Sequence, residues 1–479
     1  MKVSRNLKYI FVAMICLCAV TFDSHAQYDI SIEIKNSTTD TLLLGYFNRG
    51  ATYSIDTALN KKNKFSFKSK TKKLDDGIYF FANTKGRHCE FMIFNEYALK
   101  FFTTEDDWTG NLRVKGSKNE ELYLQYMIES DGLAKQYNSI LNGRDTIDKQ
   151  EYDSKLKILS AKNDSLKKDF IDKYPNHLLS KIFQCAKPIE IPNFPTIYTK
   201  DGSVDSLQMK QESFNWYKQH YFDNIDFAYG GLLNTEKKIF MDKYNEFWDD
   251  VMKYEKIDTI LYYAHKIISR AIDDNMFNFL VYDITKRYLQ SKFIGHDKIY
   301  VEMVDKYFSS NRFTAMTVSD IEKNILRADK WRNLLIGKQV PDLGCPTHDD
   351  KSKWYHLDGM KTKYKLLVFW SVDCGHCTVD MPKLKEFYDE YRQVYDFDIF
   401  AVHTENRIEE RDEFLKKHEI KWTNTNGLFA TYDWREYFDI EKTPVIYILD
   451  SKDKILMKNI SVSSLKQVFD ILEKDGFNL

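Results

Sequence analysis

The residues best placed to do chemistry are two thiols two positions apart, Cys374-Gly375-His376-Cys377. The apolar run Leu366-Leu367-Val368-Phe369-Trp370 precedes them and suits a strand buried on both faces. A helical pattern, from about Thr378 to Tyr391, follows. The pair therefore sits where a strand hands over to a helix. Unpaired N–H groups and the positive end of the dipole at a helix N-terminus favour a thiolate, the reactive form of cysteine. Cys374, nearer the mouth of the turn, is expected to be the nucleophile, and Cys377 is spaced to attack a mixed disulfide and release the substrate. A protonated His376 would further stabilise the anion, whereas a carboxylate at Asp373 would oppose it unless it turns away to cap the helix.

Other uses of paired thiols fit less well. Zinc would require a second ligand pair, and the sequence has no second Cys-x-x-Cys or suitably spaced His pair, so neither metal nor cofactor is expected. A structural disulfide has the same spacing; the strand-to-helix setting is what favours redox chemistry. Pro444 precedes the apolar run Val445-Ile446-Tyr447-Ile448-Leu449 and so opens a strand without removing a central hydrogen-bond donor.

Four features stand in order along the last third of the chain: Gly337-Lys338-Gln339-Val340-Pro341-Asp342, Phe369-Trp370 before the thiols, Pro382 within the following helix, and Thr443-Pro444-Val445. Together, from about Gly337 to Leu472, they resemble the thioredoxin superfamily, and in particular its extracytoplasmic TlpA/ResA-like branch. The resemblance implies an α/β thioredoxin-like fold with a mixed central sheet, protein thiol or disulfide substrates, and a membrane thiol-disulfide electron donor. It also implies that Trp370, Thr443 and Pro444 bind substrate, with a cis bond before Pro444 that turns the Thr443 backbone toward the sulfurs and lets an extended substrate add as a strand. Two positions depart from the pattern. Asp373 stands where many thioredoxins have Trp, and Val368 stands where thioredoxin itself keeps a buried acid, so proton handling must differ. Cys-Gly-His-Cys is similar to the pair of protein disulfide isomerases, while the TlpA/ResA branch is mostly reductive, which leaves reductase and isomerase both open. A peroxidase is an alternative, but the peroxiredoxin pattern would need Pro at position 367, which is Leu, although Ser371 matches. A substrate-holding scaffold with incidental thiols is another.

The N-terminus has basic Lys2, Arg5 and Lys8, an apolar stretch from Tyr9 to Phe22, and small residues in Ser24-His25-Ala26. This reads as a secretory signal, residues 1–26, cleaved before Gln27. The apolar stretch is shorter than the ~20 residues that a spanning helix needs, so export across the inner membrane to the periplasm is expected, without stable membrane insertion. Neither Cys16 nor Cys18 follows a lipid-attachment pattern. Without the leader the chain has 67 basic and 70 acidic residues, a balance that argues against a nucleic-acid partner. Of its seven cysteines, Cys16 and Cys18 fall in the leader. Cys89, Cys185 and Cys345 read as small buried hydrophobes. His88 beside Cys89 is too isolated for a metal site, and Glu405 reads as an exposed loop carboxylate rather than a proton relay.

The elements that must carry this site fall into three further segments. Residues 27–115 alternate in short runs, such as Ile30/Ile32/Ile34 and Phe65/Phe67, and predict a small antiparallel β-sandwich whose edges are blunted by lysines such as Lys61, Lys62 and Lys64. Residues 116–332 change to helical period. Ser117-Lys118-Asn119-Glu120 predicts a capping box, Tyr152, Leu156, Leu159, Leu166 and Phe170 form one stripe, and Pro188, Pro192 and Pro195 mark a joint between helical groups. The aromatics of Phe214-Asn215-Trp216-Tyr217 and of His220-Tyr221-Phe222-Asp223-Asn224-Ile225-Asp226-Phe227 are expected to be helix-packing core. The N-terminal β region and this aromatic helical region, through the latter phrase above all, resemble uncharacterised domains that lie upstream of thioredoxin folds in secreted bacterial proteins. Residues 333–479 form the thioredoxin-like segment. The expected fold class is thus multidomain, with β-sandwich, α-helical middle and α/β C-terminal parts.

Overall fold

The computed structural model describes residues 27–144, 148–347 and 352–475; the expected leader, 1–26, lies outside them. The described residues gather into two compact units, which divide between Lys253 and Tyr254.

The first unit opens with eight strands: β1 (Tyr28–Lys35), β2 (Thr41–Asn48), β3 (Ala51–Leu59), β4 (Lys64–Ser69), β5 (Gly77–Asn83), β6 (His88–Ile93), β7 (Ala98–Thr104) and β8 (Arg113–Lys115). They make two four-stranded sheets, β4-β1-β7-β8 and β3-β2-β5-β6. The period-2 alternation sends Phe67 and Phe101 from one sheet, and Phe81 and Phe91 from the other, into a shared aromatic core. Phe81 and Phe91 lie 4.6 Å apart, and Phe81 meets Phe101 edge-on at 5.4 Å. The sandwich matches the expectation except in one pairing: β1 and β7 run parallel, Asp29 opposite Ala98 through Lys35 opposite Thr104. Sixty-odd residues of intervening chain supply the crossover that such a pair requires, so no hairpin signal marks it in the sequence. Lys64 and Lys68 stand exposed on the edge strand β4.

Helices α1 (Lys118–Asn142), α2 (Lys149–Lys173), α3 (Leu178–Ala186), α4 (Ser206–His220) and α5 (Met241–Glu246) complete this unit. Only half of the capping box forms. Ser117 Oγ accepts from the Glu120 N–H at 2.8 Å, but the buried Glu120 carboxylate accepts from the Met92 N–H at 2.7 Å instead of turning back. Met92 lies on β6, an edge strand, and the carboxylate satisfies a donor that no neighbouring strand pairs. The aromatic phrases also separate. Tyr221, Phe222, Ile225 and Phe227 are core, with Phe222 and Phe247 rings 4.3 Å apart, whereas α4 buries no residue and Phe214 is exposed. Helical spacing gives the direction of a stripe but does not guarantee an element to cover it. Gly77 is required where the chain turns toward the segment at 230–234: a Cβ there would stand 2.4 Å from Asn234 Cβ.

In the second unit, α6 (Ile257–Arg270), α7 (Asp274–Leu289), α8 (Asp297–Tyr307) and α9 (Val318–Asn333) lead into β9 (Gly344–Pro346), β10 (Trp354–His356), β11 (Tyr364–Trp370), α10 (Gly375–Tyr395), β12 (Phe397–His403), α11 (Ile408–Lys417), β13 (Thr423–Asn426), α12 (Trp434–Tyr437), β14 (Val445–Asp450), β15 (Ile455–Lys458) and α13 (Leu465–Asp475). The five-stranded sheet has the order β13-β12-β11-β14-β15. β11, β12 and β13 are parallel neighbours, while β14 is antiparallel to both β11 and β15, which is the mixed sheet expected. Every residue of β11 is buried, as its unbroken apolar run requires for a central strand covered on both faces. One face, with Leu366, Val368 and Trp370, packs on α10 and α13; the other, with Leu367 and Phe369, packs on Trp434, Phe438 and Leu343.

Among the described residues of this unit, two lysines are buried. Lys365 Nζ donates to Asp453 at 2.6 Å and to the Leu357 carbonyl at 3.0 Å. Lys458, on β15, pairs with Asp297 at the start of α8 and donates to the Leu334 carbonyl at 2.7 Å. Trp331 of α9 donates its indole N–H to Asp439 at 2.6 Å. Among the described residues, no helix is long and apolar enough to cross a membrane.

Candidate active site

The strand-to-helix handover occurs where the sequence puts it. β11 ends at Trp370, Ser371 to Asp373 form the turn, and Cys374 is the N-cap of α10 with extended backbone, φ −90° and ψ 112°. Its side chain makes no capping bond, so the sulfur is left to the space in front of the helix. Pro382 lies inside α10, which continues through it to Tyr395. On the neighbouring strand, the Thr443–Pro444 bond is cis and β14 begins at Val445. The Cys374 thiol donates to the Thr443 carbonyl at 2.9 Å, so residues sixty-nine positions apart meet at one sulfur.

The two sulfurs have opposite surroundings. Burial pushes the Cys374 thiol up, but hydrogen bonds from the Thr443 side chain and from Cys377 and His376, including the backbone N–H groups of the helix's first turn, outweigh it and hold the thiol below its ordinary value. Cys377 is fully buried, and that burial pushes its thiol up to about 12 despite a hydrogen bond from the Ser371 backbone. Both are free thiols, as are the buried Cys89, Cys185 and Cys345. Burial also raises those three, which stand as packing groups.

The remaining expected site residues divide. His376 is exposed, and it is its backbone rather than its ring that bears on the Cys374 sulfur. Asp373 does not cap α10: it forms an ion pair with Arg407 at 2.8 Å, while its N–H donates to Ser371 Oγ at 3.1 Å. Trp370 must be corrected as a substrate-binding residue. Its side chain is wholly buried, packed against His403 at 5.2 Å and Phe414 at 5.5 Å, and so supports the turn from below with no face for a substrate. Thr443 meets the Cys374 sulfur through its carbonyl and is joined to Pro444 by the cis bond. Glu405 is an exposed loop residue.

Sequence reasoning missed the support beneath the turn. His403, the last residue of β12, is opposite Trp370 in the register and fully buried; its Nε2 accepts from the Val372 N–H at 3.4 Å. Burial, and then the charge of Arg411, push its pKa down to about 4, so the ring is neutral and able to accept that bond. Thr404 donates to the Trp370 carbonyl through its N–H at 3.0 Å and its hydroxyl at 3.3 Å. The available signal was a histidine and a threonine directly after the apolar run Ile399-Phe400-Ala401-Val402, in the strand beside the one that delivers the thiols. As for metals, the described residues contain one group of suitable chemistry, Asp342, His356 and Asp358 at the surface. It is joined by a 2.6 Å bond between His356 and Asp342 and a 3.1 Å bond from the Asp358 N–H.

Residues 362–455 match the family described as Thioredoxin-like, and residues 28–123 match a domain of unknown function, DUF4369. No curated protein matches the chain. Among solved structures, the chain is similar to a domain of a possible thiol-disulfide isomerase from Cytophaga hutchinsonii, with 30% identity, 29% of this chain and 94% of that one covered, and a TM-score of 0.27. It is also similar to a thioredoxin-like protein from Bacteroides caccae, with 17% identity, coverage of 60% and 99%, and a TM-score of 0.45. A third likeness is to a putative thiol:disulfide interchange protein DsbE from Chlorobium tepidum, with 20% identity, coverage of 28% and 93%, and a TM-score of 0.24. With a mixed five-stranded sheet and paired thiols at the head of α10, the C-terminal part of this chain is a thioredoxin-like domain.

Proposed function

We propose that the protein is an extracytoplasmic thiol-disulfide oxidoreductase acting on protein substrates, with Cys374 as nucleophile and Cys377 as resolving thiol. The observation that carries this reading is the asymmetry of the pair: Cys374 is partly exposed at the N-terminus of α10 with a lowered pKa, and Cys377 is buried behind it with a raised one. The Cys374 thiolate attacks one sulfur of a substrate disulfide, forming a mixed disulfide and expelling the other substrate sulfur as a thiolate, which takes up a proton. Cys377 then gives up its proton and attacks Cys374, which forms the Cys374–Cys377 disulfide and releases the second substrate thiol. Two electrons have passed to the substrate. Each further cycle needs an external dithiol to reduce the pair, and a membrane thiol-disulfide donor facing the periplasm would serve a chain exported by the leader 1–26. The Thr443 backbone beside the sulfur supports pairing with an extended substrate segment.

A peroxidase finds less support. Leu367, where that chemistry would want a proline, lies mid-strand in β11 with hydrogen-bonded neighbours on both sides. The test is to equilibrate the full-length protein with glutathione buffers and quantify alkylated Cys374 and Cys377. A potential near about −270 mV assigns a reductase, and one near about −180 mV an isomerase. A pair that does not interconvert between dithiol and disulfide overturns the proposal.

A further inference from the structure

A carboxylate next to a thiol disfavours the thiolate, and Asp373 is the residue immediately before Cys374. Its charge is met from another element. Arg407, in the loop between β12 and α11, lies thirty-four positions downstream and donates from Nη1 to Asp373 Oδ1 at 2.8 Å. The rest of its guanidinium is held by Glu410, which accepts from Nε at 2.9 Å and lies 2.8 Å from Nη2. The fork is thereby fixed on one side with its remaining nitrogen toward Asp373, and a planar guanidinium suits this two-sided task better than a point charge. Both partners of the Asp373 pair are about half exposed, 48% and 51%, so the pair contributes little to folding stability.

We propose that Arg407 is a positioning residue for the Cys374 nucleophile, holding the Asp373 carboxylate in an ion pair so that its charge does not oppose the thiolate. The proposal rests on the reading of Cys374 as nucleophile given above. The other titratable and charged groups around the turn are His376 and Cys377 of α10, His403 of β12, Glu405 of the following loop, Glu410 and Arg411 of α11, and Glu441 and Lys442 next to Thr443. Of these, His403 is neutral and bonded to Val372. Arg407 is the cation bonded to Asp373.

The experiment is the pH profile of iodoacetamide alkylation of Cys374 in the reduced full-length protein, with the labelled residue assigned by fragment mass spectrometry. Wild type is compared with Arg407→Gln, Arg407→Lys, Asp373→Asn and the Asp373→Asn/Arg407→Gln double variant. In low salt, Arg407→Gln is expected to move the rising limb to higher pH and to slow alkylation on that limb roughly threefold. Arg407→Lys restores most of the rate, about 1 M salt shrinks the difference, and the Arg407→Gln effect disappears in the Asp373→Asn background. A profile unchanged by Arg407→Gln, or a shift that persists without Asp373, overturns the proposal. A wild type whose limb lies at the ordinary thiol value of about 8.5 or above overturns instead the reading of Cys374 as an activated nucleophile, so the two failures are distinguishable.

Discussion

The N-terminal sandwich and the head of the C-terminal sheet both pack aromatic rings between layers, yet they differ in what else they bury. Between the sandwich sheets, Phe67, Phe81, Phe91 and Phe101 are packed among one another with no buried histidine or ion pair among them. At the C-terminal ends of β11 and β12, Ser371, His403 and Thr404 are also buried, and each makes a side-chain hydrogen bond to the backbone that leads to Cys374. Apolar filling gives stability without direction, whereas each buried polar group costs desolvation unless a partner in one geometry satisfies it. At this end of the sheet the buried polar groups hold in place the backbone that carries Cys374.

The contrast breaks most completely with the thiols themselves. Cys374→Ser should abolish turnover in an insulin-reduction assay with the thermal unfolding of the protein unchanged, and Cys377→Ala should leave a mixed disulfide on Cys374 that non-reducing gels detect. In the sandwich, Phe81→Ala should cost about 3–5 kcal/mol by urea unfolding followed in the first unit, and leave the alkylation rate of Cys374 as it was. Asp453→Ala removes the partner of the buried Lys365 and should destabilise the second unit by about 3 kcal/mol. Replacing both residues by apolar ones should recover much of that loss in the same titration.

His403 sharpens the comparison through pH. Its folded pKa of about 4 lies below the ordinary 6.5, so between those values the unfolded chain binds a proton that the folded one does not. Stability of the second unit is then greatest above pH about 6.5 and falls as pH drops toward 4, by up to about 3 kcal/mol from this group. Urea midpoints at pH 7 and 4.5 should differ less in His403→Gln than in wild type; an equal difference would remove His403 from the account. The smallest effect belongs to the sandwich surface. Lys68→Ala breaks an exposed pair with Asp29 and should change stability by less than about 1 kcal/mol in the same assay.

What the sequence discloses about the site is what lies close along the chain. The thiol spacing, the buried run of β11, the helix after Cys377 and the proline before β14 are local patterns, and the structure assembles the same elements. The partners that meet across the fold are not encoded in spacing. Nothing about Asp373 or Arg407 alone announces their ion pair, and Trp370 reads as an accessible ring until the strand beside it and α11 cover both its sides. In the first unit the same holds: alternation identifies strands but not that β1 pairs in parallel with β7, and a capping pattern does not show that Glu120 is drawn away to Met92. Periodicity reports which face of an element is apolar, and only the packed molecule reports what fills the space opposite.

The buried contact between Lys458 and Asp297 has a consequence for dissection. Lys458 belongs to the last strand of the central sheet, and both its partner carboxylate, Asp297, and its carbonyl partner, Leu334, come from the helices and the segment that precede that sheet. A fragment cut just before the sheet's first strands would keep the lysine and discard its counterion, and Trp331 would go with it. The seam is thus a poor place for scissors: shuffling this redox module onto another host would require either carrying α8 and α9 along or rewriting the lysine as an apolar residue.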